Sequence, residues 1–93
     1  MAHMYILECS DSSFYVGSTL DLERRLAQHN AGEGAAYTQR RRPVRLVYAE
    51  TFDRVDEAHL REKQVQGWSR AKRIALITSR AGSLPLLSRK RFT

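Results

Sequence analysis

One cysteine, Cys9, is all that this chain of 93 residues carries. With no second thiol and no Cys or His partner at ligand spacing, a disulfide-stapled secreted scaffold and a structural zinc site are both excluded. Cys9 is expected in a core strand. Long apolar runs are also missing. Stretches such as residues 74–77 are far too short to span a bilayer, and no charged segment followed by an apolar one opens the chain. The expectation is a soluble, cytoplasmic protein. Internal repeats and low-complexity segments are absent, and the length suits a single small domain, one sheet with covering helices. Acidic residues are the scarcer charge, ten Asp and Glu against sixteen Lys and Arg, for a net charge of +6. Such a surface suits polyanions. Many small basic proteins bind nucleic acid without specificity, so basicity supports a partner class and does not name one.

What is present reads as alternating strands and helices. Residues 4–9 form a strand in which Tyr5, Leu7 and Cys9 share one face and Met4, Ile6 and Glu8 the other. A polar turn at 10–13 leads into a second strand at 14–17, antiparallel to the first, which puts Tyr5 and Tyr15 on neighbouring strands. The first three residues read as partly a cloning remnant, on which nothing structural is expected to depend. Ser18 or Thr19 is expected to cap a helix over 20–30, with Gly32 and Gly34 ending it. Residues 35–42 are basic and helix-poor, and Pro43 precedes a third strand over 45–51. Asp53 is expected to cap a helix running to Gln66 and stopped by Gly67. A further helical segment starts at Ser69 and ends near residues 81–82, and residues 83–93 read as a basic tail. Trp68, at the helix junction, reads as a packing anchor.

Some residues break the packing pattern. Arg25 and His29 fall beside the apolar stripe of Leu22 and Leu26, and an arginine so placed needs an anion. That anion is either Asp21, at i and i+4, or a phosphate of a substrate, which a guanidinium fork matches. Glu62 falls in step with Val55, Ala58 and Val65, among the apolar positions of its own helix. Burying it unpaired would cost several kcal/mol, about the usual penalty for an isolated charge. Either a basic group pairs with it, or it lines a cleft where a hard divalent cation uses its oxygens. Tyr5, Tyr15 and His29, each alone, would pass for packing residues and a helix-end histidine.

Taken together, Tyr5, Tyr15-Val16-Gly17, Arg25 with His29, and Glu62 resemble the signature of the GIY-YIG nuclease superfamily. His3-Met4-Tyr5 stands where the literal Gly-Ile-Tyr would be, while Tyr15-Val16-Gly17 matches the second half closely. The segments YVGSTLDLERRLAQHN, AYTQRRRPVRLVYAE and REKQVQGWSRAKRIALI are similar to small bacterial stand-alone members. The resemblance implies an α+β fold, a three-stranded antiparallel sheet flanked by helices, with residues 1–82 forming the nuclease-like domain.

It also implies a metal-dependent nuclease that hydrolyses nucleic-acid phosphodiester bonds, with DNA in repair or recombination as the expected substrate. Glu62 would anchor Mg²⁺ or Mn²⁺, Tyr5 would orient or deprotonate the water, Tyr15 would position the phosphate, and Arg25 would bind the developing charge. His29 would contact phosphate or assist proton transfer. A phenol needs a neighbouring cation to act as a base at neutral pH. Tyr37, in the basic loop, is a further site residue or a base-stacking surface aromatic. Arg40, Arg41, Arg42, Arg45, Lys63, Lys72 and Arg73 would grip the nucleic-acid backbone, setting affinity and salt dependence. The competing expectations are a non-catalytic nucleic-acid-binding module, favoured if Glu62 is paired internally, and a domain whose activity and targeting depend on a protein partner.

Overall fold

The computed structural model describes residues 1–79. The tail expected at 83–93 and the helix end expected near 81–82 lie outside the described residues. Strand β1, Ala2–Glu8, turns into β2, Phe14–Thr19, and helix α1, Leu22–Asn30, follows. A single helical turn, α2, Ala36–Gln39, precedes strand β3, Arg45–Phe52, and helices α3, Val55–Gln66, and α4, Arg70–Ser79. The strands make one antiparallel sheet in the order β2-β1-β3. The expected α+β fold is the one observed.

Asp11 builds the β1–β2 turn. Its Oδ1 accepts from the Ser13 amide at 3.1 Å and from Ser13 Oγ at 2.6 Å, a local side-chain turn of the kind that competes with regular structure. Across the hairpin Tyr5 faces Gly17, Ile6 faces Val16 and Leu7 faces Tyr15. Strand alternation then divides the core. Met4, Ile6 and Val16 pack with Val47, Tyr48 and Val65, supported by Trp68, Leu76 and Ile77. Tyr5, Leu7, Cys9 and Val44 pack on the other face with Tyr15, Leu22 and Leu26. Both apolar sets of β1 therefore land on the faces that alternation predicts. An irregularity between Ile6 and Leu7 in the β1–β3 ladder puts the adjacent Val47 and Tyr48 in the same core cluster, as an extra residue in one strand does.

Several local expectations are corrected. Ala2 is 1% exposed and pairs with Phe52, and His3 pairs with Thr51, so the first residues belong to the central strand. Helix α1 starts at Leu22. Asp21 is its cap, accepting from the Arg24 amide at 3.1 Å, while Thr19 Oγ1 accepts from the Asp21 amide at 3.2 Å. The carboxylate wins because it both satisfies a first-turn N–H and complements the helix dipole. Residues 36–39 form a helical turn where none was expected, organised around the buried Thr38. Helix α3 starts after Arg54, without a side-chain cap, which leaves Asp53 outside it and Val55 exposed. The end of α1 is tied to β3 by Asn30, whose Nδ2 donates to the Val44 carbonyl at 3.0 Å and whose Oδ1 accepts from the Val44 amide at 2.8 Å.

Candidate active site

Tyr5 lies in the central strand and is 1% exposed. Its ring depends on the residue opposite. A Cβ at Gly17 would stand 2.5 Å from Tyr5 Oη and 2.7 Å from Cζ, so only glycine lets the phenol lie over β2. Tyr5 Oη comes within 2.9 Å of His29 Nε2. Tyr15 closes the group, with ring centroids 6.4 Å from Tyr5 and 5.2 Å from His29. His29 is fully buried and its Nδ1 lies 2.8 Å from Thr38 Oγ1. The helix-end histidine of the sequence is thus a core residue wedged between a strand tyrosine and the α2 turn.

Arg25 sits one turn before His29 on α1. Asp21 is engaged at the cap and does not pair with it; Arg25 Nη1 donates to Gln28 Oε1 at 3.1 Å. The guanidinium also lies beside both phenols, where its hydrogen bonding and charge pull their pKa values down. Burial is the larger effect. It pushes Tyr5 up to about 12, with Tyr15 and Glu62 adding to the rise, and it raises Tyr15 as well. Burial first, and the Arg25 charge second, lower His29 below its usual value. At neutral pH the three rings form an uncharged cluster with one cation beside it.

Glu62 approaches from the other side of the sheet. Its Oε1 accepts from Ser18 Oγ at 2.6 Å and its Oε2 from Gln66 Nε2 at 2.7 Å, with His59 Nδ1 at 3.5 Å. Gln66 Nε2 also donates to the Val16 carbonyl at 3.1 Å. Because β2 is an edge strand, α3 can reach past it, and the Glu62 charge is felt by Tyr5 and Tyr15. Among the described residues the basic group nearest Glu62 is His59, and no lysine or arginine forms an ion pair with Glu62. Its side chain is 13% exposed and held mainly by neutral donors. No group of three or more metal-ligating side chains occurs among the described residues. One hard anionic oxygen fits a divalent cation that keeps most of its waters, such as Mg²⁺, and does not fit zinc.

The remaining expected residues are distributed around this centre. Tyr37 stacks on Tyr15, centroids 6.1 Å apart, and Arg41 lies 3.9 Å over the Tyr37 ring while pairing with Asp11 at 3.1 Å. Arg73 donates to the Val65 and Gln66 carbonyls at the end of α3 and lines an open cavity of about 300 Å³ with Phe14, Tyr15, Tyr37 and Gln66. Arg42 donates to the Gln39 and Asn30 carbonyls, and Arg40 is exposed beside it in a shallow recess with Pro43. Arg45 pairs with Glu8 at the far end of β1, Lys72 lies 4.3 Å over the Trp68 ring, and Lys63 is exposed on α3. Tyr37, Arg41 and Arg73 therefore join the tyrosine cluster, and Arg45, Lys63 and Lys72 do not. Sequence reasoning missed Ser18, Gln66, Thr38 and Gly34. Gln66, four residues after Glu62 on one helix, had a local signal; the others meet their partners only through the fold.

A small antiparallel sheet here gathers two tyrosines, an arginine and a histidine on one side of an edge strand, with a helix glutamate on the other. The chain belongs to the GIY-YIG family: the model of the GIY-YIG catalytic domain matches residues 1–75. A UPF0213 protein of Halobacterium salinarum is 50% identical over 76 residues, covering 82% of this chain and 99% of that protein. One from Staphylococcus saprophyticus is 47% identical over 76 residues, 82% and 93% of the two chains. The solution NMR structure of a UPF0213 protein from Bacillus halodurans superposes with a TM-score of 0.60 at 38% identity, covering 100% of this chain and 98% of that one. GIY-YIG nucleases generally use a divalent metal and act on nucleic acid. Among the described residues no helix is long and apolar enough to cross a membrane.

Proposed function

We propose that this protein is a divalent-metal-dependent nuclease that hydrolyses DNA phosphodiester bonds in repair or recombination, in the cytoplasm, through Tyr5, Tyr15, Arg25, His29 and Glu62. The observation that carries the reading is the 2.9 Å contact of Tyr5 Oη with His29 Nε2. With its pKa pushed up to about 12, Tyr5 is not ionised at neutral pH and cannot wait as a phenolate. It can act as a base only by releasing its own proton as it takes one from the attacking water, and His29 Nε2 is in place to receive it. Burial and, second to it, the Arg25 charge hold the imidazole's basicity down in the free protein, and a phosphate bound beside Arg25 offsets the second of these and raises that basicity when it is needed. Arg25 then stabilises the charge developing on the phosphoryl oxygens, and the Tyr15 hydroxyl orients them. Glu62 would hold Mg²⁺ or Mn²⁺, which when bound supplies Lewis-acid polarisation of the phosphate. Tyr37 and Arg73 line the open cavity beside Tyr15, Arg41 lies over the Tyr37 ring, and the three serve to seat the strand.

One observation favours a different reading. Both oxygens of Glu62 accept hydrogen bonds within the protein, as they would in a nucleic-acid-binding module without catalysis or one activated by a protein partner. Cleavage of supercoiled, single-stranded and branched DNA with Mg²⁺ or Mn²⁺ separates the two, using wild type and folded Glu62→Ala and Tyr5→Phe variants. Cleavage lost in both variants supports the nuclease; binding of every substrate without cutting by wild type supports the module.

A further inference from the structure

His29 is held at both ring nitrogens, and the two holds are not alike. Thr38 Oγ1 carries a single proton, which it donates to the Ala35 carbonyl at 3.0 Å. Towards His29 Nδ1, 2.8 Å away, the same oxygen can therefore only accept. The proton of a neutral imidazole is then on Nδ1, which leaves Nε2 bare and makes Tyr5 the donor in the 2.9 Å contact. Thr38 and His29 are both fully buried, so no competing solvent donor reverses this order. The backbone reinforces it. A Cβ at Gly34 would stand 2.3 Å from His29 Nδ1 and 2.8 Å from Cγ, so the chain leading into α2 lies directly against the ring and limits its rotation. The Ala35 carbonyl also accepts the amides of Thr38 and Gln39, each at 3.1 Å, which fixes the acceptor that orients the Thr38 hydroxyl.

We infer that Thr38 is a positioning residue that locks His29 in the Nδ1–H tautomer, so that Nε2 faces Tyr5 as a proton acceptor. Its catalytic meaning rests on the proposed nuclease reaction; the tautomer itself does not. In the opposite tautomer Nε2–H would donate to Tyr5, and the route for the Tyr5 proton would be closed. The α2 turn in this view presents one hydroxyl to the imidazole.

The test is a long-range ¹H–¹⁵N correlation spectrum of the imidazoles at neutral pH, with His29 assigned by its loss in His29→Gln. Wild type is expected to show a protonated, pyrrole-type Nδ1 and a bare, pyridine-type Nε2. Thr38→Val keeps the shape and removes the acceptor; it is expected to shift His29 to the Nε2–H form and to lower kcat roughly 10- to 100-fold at little-changed KM. Thr38→Ser retains the wild-type tautomer and rate. Should Thr38→Val fail to fold, Thr38→Cys, a far weaker acceptor, is expected to give a mixture of the two forms. A protonated Nε2 in wild type overturns the inference, as does an unchanged tautomer in Thr38→Val or Thr38→Cys. If no variant and no wild type cleaves DNA, the nuclease reading fails while the spectrum still decides the lock.

Discussion

Gly17→Ala is the sharpest perturbation of the site, because its sign separates two accounts of the glycine. Gly17 lies outside the left-handed backbone region, so on conformational grounds alanine should stabilise the strand by roughly 0.5–1 kcal/mol. The packing argument says the reverse. The new Cβ would sit 2.5 Å from Tyr5 Oη, about 1 Å inside ordinary contact. Tyr5 is on the central strand and 1% exposed, with Tyr15 and His29 against its ring, so it cannot yield freely. Overpacking of this kind costs about 1–3 kcal/mol, and losing the Tyr5–His29 hydrogen bond adds roughly 1 kcal/mol. For a domain of this size a loss of about 2–4 kcal/mol lowers Tm by on the order of 10–25 °C. Thermal unfolding followed by circular dichroism reads it directly, and an unchanged or raised Tm refutes the claim that Gly17 makes room for the phenol.

Three further outcomes are expected. His29 has a depressed pKa in the folded protein, so the unfolded chain binds the extra proton first; stability is full above pH 6.5 and falls as pH drops below it, and His29→Gln flattens that limb in urea titrations. Arg61 donates to both Glu50 oxygens, at 2.9 and 3.2 Å, from a pair mostly shielded from water, so Arg61→Ala costs about 1–2 kcal/mol in urea unfolding, discounted for its partial exposure. Arg40 is exposed, and on the nuclease reading Arg40→Ala weakens binding of all DNA sequences alike and reduces the salt slope by about one; an unchanged slope places Arg40 off the bound strand.

The order of the strands' side chains was legible in the sequence. Alternation separates Tyr5, Leu7 and Cys9 from Met4 and Ile6, and a two-residue period is a property of the strand itself, independent of what packs on it. The tyrosines, Arg25, His29 and Glu62 were legible as a set through their resemblance to the GIY-YIG signature, since each alone reads as packing or surface. Their partners were not. Asp21 was read as a partner for Arg25, with Ser18 or Thr19 as the cap, and the cap took Asp21 because the first-turn amide is always there to be satisfied. Ser18 meets Glu62 across 44 residues and Tyr5 meets His29 across 24, distances at which no local periodicity operates. Thr38 had no signal at all, since its partner His29 lies nine residues earlier on a different helix. The sequence by itself determined which side chains face which layer; the tertiary structure alone decided which hydrogen-bonding group each buried polar atom finds, because that choice is made by the competition of all buried donors and acceptors at once.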